Sequence, residues 1–570
     1  MKYKENINKR KITTSGNWWD KLGKPQYGGE IVIRASRNIE NFDPYYSEGL
    51  TSIYGGWMER LVGDDWTINP DIWNYRLAWH PAQYRKGVLA ESWEFPDPNT
   101  HIIHLRKGIH WQNIPPANGR EFTSDDVMFH YNRMFGLGGG FAKPSPARGD
   151  DVNFQDLISI DATDKYTIVF KFKTPNPEFI MEALHDISQA PCLENSEAVT
   201  KWGDLHDWHH AIGTGPFILK DFVPDNSATL IKNYDYWGRD ERYPQNKIPY
   251  VDSVKFIIIP DEAQAIEAMR SGKVDAIHQV SAVNAEALRK TDPEILQMPI
   301  TLAALSLQPR NDMAPFNDLR VRKALQMSID LSAIAKSYYG ESVEPYPSTL
   351  TPRKYVKGWG FPYEEWPQDL KDEYAYNPRA AKKLLADAGY PNGFKTNVVA
   401  DTEGDLNLLQ IVKSYYSNIG IEMEVRTMGS NDWLTFISNR RHDQLIYRPY
   451  GPLGNTYAPL RAITRFQTGI SANFMMVRDP VFDAFYPKAI AAIDTNDLKK
   501  IIRDANEHVA RQHYAVSLLQ PVAYSLCQPW LKGYNAQIHS IWMGNGGPSM
   551  LSFYASRFWI DQKLKQSMGR

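Results

Sequence analysis

The sequence predicts an α/β protein built from mixed sheets. Short apolar or alternating runs are bounded by turn residues, and they interleave with amphipathic stretches that carry readable helix caps. The 570 residues, 42% of them hydrophobic and 23% charged, supply enough apolar surface for a sizeable core. At roughly 150 residues per domain they imply three or four structural units.

The first strand is Ile31-Val32-Ile33-Arg34-Ala35, which follows the turn pair Gly28-Gly29. Thr123-Ser124-Asp125-Asp126 reads as a helix start, with a hydroxyl cap and acids in the first turn where the helix dipole favours them. Thr167 to Lys173 alternates before Pro175 and is a second strand. The apolar run from Val254 to Ile259 stops at Pro260, and Asp261 then caps a helix with Gln264 three residues on. Ile266 and Met269 form its inner face and Gly272 its left-handed stop. Asn317 and Asp318 precede a helix with Val321, Ala324, Leu325 and Ile329 on one side. Asn377-Pro378 opens another, striped by Ala381, Leu384, Leu385 and Ala388 and ended by Gly389. Residues 421–426 alternate strictly, as a half-buried strand does. The irregular stretches 66–85 and 343–374 are rich in Pro, Trp and Tyr, which predicts packed loops.

Composition excludes several classes. Sixty-four basic against 66 acidic residues leave a net charge of −2, far from the basic balance that nucleic acid selects for. No apolar run is long enough to span a bilayer as a helix. Residues 1–27 are polar and basic and read as a disordered leader. Cys192 and Cys527 lie too far apart for a zinc or redox motif, although a disulfide between them stays open. The aromatic share of 12% exceeds what packing alone usually requires.

Reactive constellations are missing. There is no metalloprotease, nucleophile-elbow or phosphate-loop motif, and the run Gly136-Leu137-Gly138-Gly139-Gly140 lacks a preceding apolar strand and a following Lys-Ser/Thr, so it reads as a loop. His206, His209 and His210 have a spacing that could hold a metal on a helix face. With no carboxylate or thiol at a fixed spacing, a loop or helix end is the simpler reading. Asp125 and Asp126 diverge by about 100° on a helix and cannot readily flank one glycosidic bond. No catalytic residue, metal ligand or cofactor is predicted.

Several segments, in order, resemble the family 5 extracellular solute-binding proteins of ABC importers, the group that includes dipeptide-, oligopeptide- and nickel-binding proteins. The blocks are Leu89-Ala90-Glu91-Ser92-Trp93-Glu94, residues 104–111, Phe122-Thr123-Ser124-Asp125-Asp126-Val127, Gly213-Thr214-Gly215-Pro216-Phe217, residues 233–238, 271–275, 315–325 and 388–394. Most of their residues read as caps, turns and core, with Trp93 and Trp237 packed inside. The resemblance implies a periplasmic-binding-protein-like fold of two lobes with a hinge and an extra domain inserted in the first. Residues 28–75, 206–300 and 515–570 would form lobe one, 76–205 the inserted domain and 301–514 lobe two, with the chain crossing near Leu302 and Val516.

The family places ligand contacts on a loop after the first strand, here Tyr45 and Tyr46, and on a loop after a strand of lobe two, here Arg448 and Tyr450. Tyrosine offers a flat apolar face with a polar tip, and arginine a forked donor. Peptide-binding members carry an acid just after the second loop, but residues 451–457 have none. Ordinary dipeptide binding is therefore in doubt, and a sugar, an opine-like compound, a modified peptide or a metal chelate stays open. The implied protein is a receptor, not an enzyme. It would be monomeric, exported to the periplasmic or extracellular face of the membrane and, as in many members, lipid-anchored there, and it would deliver a short peptide or small solute to permease subunits. A carbohydrate-active hydrolase with an aromatic-lined cleft is the alternative.

Overall fold

A computed structural model describes residues 17–39, 42–46, 53–76, 82–146, 154, 156–176, 192–302, 304–340, 342–347, 358–402, 404–448, 463–464, 466–470, 473–492, 494–536 and 554–570. The chain divides into two compact units. The first comprises Met1–Val280, Ala285–Ile300 and Tyr524–Arg570, and the second comprises Ser281–Asn284 and Thr301–Ala523.

Unit one is organised on a seven-stranded mixed sheet. Its order is Leu296–Thr301, Val522–Cys527, Ala276–Ser281, Glu30–Ala35, Ser253–Ile258, Ser227–Lys232 and Phe217–Val223. The apolar run at Ile31 makes Glu30–Ala35 a central strand, parallel to Ser253–Ile258 and to Ala276–Ser281. Those two neighbours are joined by the Glu262–Arg270 helix, which Asp261 caps by accepting the Gln264 N–H. Gly272 beyond it is left-handed at φ +71°. Ile266 and Met269 pack against Ile277, Val280 and Leu526.

A separate antiparallel sheet in unit one, ordered Ala90–Asp97, Thr100–Leu105, Thr167–Phe172 and Leu157–Asp164, carries the Ser124–Phe135 helix. Thr123 and Asp126 form a reciprocal capping box at its start. Asp126 is 1% exposed while Asp125 faces solvent, as adjacent helical positions require. Gly136 ends the helix in the left-handed region at φ +66°, and the glycines after it form a tight turn with a bridge between Gly138 and Phe141.

Unit two holds a five-stranded sheet, ordered Glu422–Met428, Lys395–Asp401, Leu445–Arg448, Ser306–Pro309 and Val516–Ser517. The first three strands run parallel. One face packs on the Leu319–Met327, Pro378–Asp387 and Leu406–Ser417 helices, with Val321, Leu325, Leu385, Leu408 and Tyr416 buried. The other face is covered by Trp433 and Ile437.

Three sequence expectations are corrected, and one open question is answered. Residues 17–27 are ordered: Trp18–Leu22 is a helical turn, Leu22 packs near Trp559, and the Tyr27 hydroxyl donates to the Lys247 carbonyl at 2.7 Å. The second crossing falls at Ala523/Tyr524 and not near Val516, because Val516 and Ser517 pair with Leu307 and Ser306 inside unit two. Trp93 and Trp237 are only half-buried. The disulfide that the sequence left open is not formed: the two cysteines are free, and each is buried.

Candidate functional site

The loop after the first strand is built outward from Phe42 and Asp43. Phe42 is clamped between Trp57 and Phe222, with ring centroids 6.3 and 5.0 Å away. Asp43 is fully buried and accepts both terminal nitrogens of Arg133, at 2.8 and 2.6 Å, together with the N–H groups of Tyr45 and Leu205. Arg133 also reaches Glu194 at 3.3 Å, whose second oxygen meets His130 Nδ1 at 2.5 Å. Burial by itself would raise Glu194, but His130 and Arg133 beside it hold its carboxyl below the usual range.

This buried network fixes the two predicted tyrosines. The Arg133 guanidinium lies 4.8 Å from the Tyr45 ring centroid, and the Tyr45 hydroxyl is 3.0 Å from the carbonyls of Lys143 and Pro144. The Ser145 hydroxyl donates to the Tyr45 carbonyl. Tyr46 stands outside the network, 44% exposed, with its ring 4.8 Å from Tyr45 and 4.6 Å from His206. It presents an open aromatic face on a braced loop.

Arg448 has a different setting. It is the last residue of the Leu445–Arg448 strand and is 8% exposed, with its guanidinium 4.3 Å from the Phe474 ring and 5.7 Å from Trp433. Tyr450 and residues 451–457 lie outside the described residues. Tyr45 and Tyr46 belong to unit one and Arg448 to unit two.

The histidine cluster is drawn into local pairs. His206 sits 3.2 Å from Asp204 and His209 2.6 Å from Asp207, while His210 stacks on Trp202. Sequence reasoning overlooked these two aspartates as partners. Among the described residues no group of three His, Cys, Asp or Glu side chains is placed to hold a metal.

Sequence reasoning also missed Arg133, Glu194 and His130. Arg133 stands 90 residues from Asp43 and 61 from Glu194, so only the fold brings them together. It likewise missed Glu59, which gathers two of the quoted blocks. The Tyr236 hydroxyl and the Trp237 indole N–H donate to its carboxylate at 2.7 and 3.0 Å, and Thr214 adds a third hydrogen bond.

Comparison with known proteins agrees with this fold. Residues 86–467, about two-thirds of the chain, match the model for bacterial extracellular solute-binding proteins, family 5 (middle). The chain belongs to that family. It is 24% identical over 485 residues to heme-binding protein A of Haemophilus influenzae, covering 80% of this chain and 83% of that one. It is 23% identical over 534 residues to the periplasmic oligopeptide-binding protein OppA of Salmonella typhimurium, covering 89% and 90%. Among solved structures, the periplasmic binding protein DppA of Helicobacter pylori in complex with the peptide STSA superposes with a TM-score of 0.72 at 20% identity, over 95% of this chain and 99% of that one. AgaA of A. tumefaciens R10 in complex with agropinic acid also gives 0.72, at 19% identity over 94% and 99%. The fold is thus the α/β, two-lobed fold of the periplasmic binding proteins. Among the described residues no helix is long and apolar enough to cross a membrane.

Proposed function

We propose that this protein is the substrate-binding receptor of an ABC-type importer. It captures a small polar organic solute, peptide-like or opine-like, outside the cytoplasm and hands it to permease subunits. The observation that carries the reading is a fold shared along nearly the whole chain with binding proteins whose solved complexes hold a peptide and agropinic acid. Tyr46 and Tyr45 on the braced loop of unit one, Arg448 at the end of a unit-two strand, and Tyr450, two positions further along the sequence, are the proposed solute contacts. The exposed Tyr46 ring supports this, because an aromatic face held on a rigid loop binds a flat or aliphatic group without a large ordering cost.

A melting-temperature screen against peptides, opines, oligosaccharides and metal chelates tests the reading. A receptor is stabilised saturably and returns its solute unchanged. If no solute in the library moves the melting temperature, or if a bound sugar is hydrolysed, the receptor reading fails.

A further inference from the structure

In unit two the Lys395–Asp401 and Leu445–Arg448 strands run parallel, with Val398 opposite Leu445 and Val399 opposite Ile446. Their carboxyl ends therefore share one edge of the sheet. Ligands of open α/β sheets bind outside that edge, where strand connections diverge. Here the chain leaves Lys395–Asp401 for Glu422–Met428 on one side, while Leu445–Arg448 lies on the other.

Asp405 stands at this edge as the cap of the twelve-residue Leu406–Ser417 helix and accepts the Leu408 N–H at 3.0 Å. Two adjacent tyrosines converge on it: the Tyr338 hydroxyl donates to one carboxylate oxygen at 2.6 Å and the Tyr339 hydroxyl to the other at 3.2 Å. Their rings stand edge to face, with centroids 4.9 Å apart. All three side chains are part-exposed. Among the described residues no lysine or arginine pairs with Asp405, so its hydrogen bonds all come from neutral donors.

A second observation is independent of the cap. Tyr447, on the neighbouring strand, is 3% exposed, its ring lies beside Gly404, and among the described residues its hydroxyl has no hydrogen-bond partner. Gly404 immediately precedes Asp405 in the chain, so the Tyr447 ring borders the same cluster, and Asp405, Tyr339 and Tyr338 all act on it electrostatically. An unsatisfied buried hydroxyl costs stability unless something completes it.

We propose that Asp405, Tyr338 and Tyr339, backed by Tyr447, form a subsite for a cationic group, a primary ammonium or a guanidinium, on the captured solute. The carboxylate supplies the opposite charge, the tyrosine rings supply cation–π attraction, and the idle hydroxyl supplies a further acceptor. This inference rests on the receptor reading above.

The test titrates agmatine and putrescine, with 1,4-butanediol as the uncharged counterpart, followed by melting temperature and calorimetry. Both amines should stabilise the protein saturably and the diol should not. Asp405→Asn should weaken amine binding at least tenfold while leaving the unliganded melting temperature close to that of the parent, because asparagine caps a helix as well as aspartate. Tyr339→Phe, which keeps the ring, should weaken it less. Asp125→Asn, an exposed acid on a unit-one helix, should change nothing. The subsite is overturned if neither amine binds, or if Asp405→Asn binds both as the parent does. Stabilisation by other solutes in those cases leaves the receptor reading standing; a library in which no solute acts removes both.

Discussion

Glu59 is a carboxyl group cut off from water, 1% exposed and surrounded by three hydrogen-bond donors. Burial raises its pKa to about 7, against the pull of Trp237, Tyr236, Thr214 and the Arg557 charge. The folded protein thus holds this proton more tightly than the unfolded chain. Its contribution to stability is complete below about pH 4.5 and is lost as pH rises through about 7, to a limit of about 3 kcal/mol. Chemical denaturation between pH 5 and 8 should show that decline, and Glu59→Gln should flatten it. Asp43→Ala removes both short bonds to Arg133 and leaves the Tyr45 and Leu205 N–H groups without their acceptor, and urea unfolding should reveal a loss of about 3–5 kcal/mol. Tyr46→Ala should cost under about 0.5 kcal/mol, since its ring is open to solvent, yet it should weaken solute binding in the same calorimetric assay. Neither buried network was legible in the sequence. Asp43 sits in an unremarkable Phe-Asp-Pro turn and Glu59 in a Trp-Met-Glu-Arg run, and their partners arrive from 90 and 177 residues away.

Elements were far more legible than residue networks, because caps and alternation are local. Thr123, Asp261, Asp318 and Asn377 each start the helix that the sequence predicts. Asp318→Ala, which removes the acceptor for the Arg320 N–H, should cost about 1 kcal/mol in a denaturant titration. Strands were read less completely: long ones such as Ala90–Asp97, Leu157–Asp164 and Lys395–Asp401 were not singled out, and the shortest carry no local signal at all. Ser306–Pro309 and Val516–Ser517 have four and two residues, too few to display a period, and they exist only because distant partners pair with them. The glycine block at 213–217 is explained by space. A Cβ on Gly213 would lie 1.6 Å from the Trp57 carbonyl oxygen, so Gly213→Ala should lose about 3 kcal/mol or fail to fold, as thermal melting would register.

For the whole molecule, sequence motifs were sufficient to reach the family and fold class, since both depend on many local features spread along the chain. The proposed cation subsite was less accessible, because the pairing of Asp405 with Tyr338 and Tyr339 joins residues 67 and 66 positions apart. A solute at 100 times its dissociation constant should add about 2.7 kcal/mol to the unfolding free energy, measurable as a concentration-dependent melting shift. The two free thiols carry one more consequence. Cys192 and Cys527 are both fully buried and both in unit one, and burial pushes the Cys527 thiol up to about 12. A thiol reagent at neutral pH therefore finds no thiolate until unit one opens, and unit two has no cysteine with which to answer it. The kinetics of alkylation thus give the protein a native clock for the opening of one unit alone, with and without solute, and no label has to be engineered.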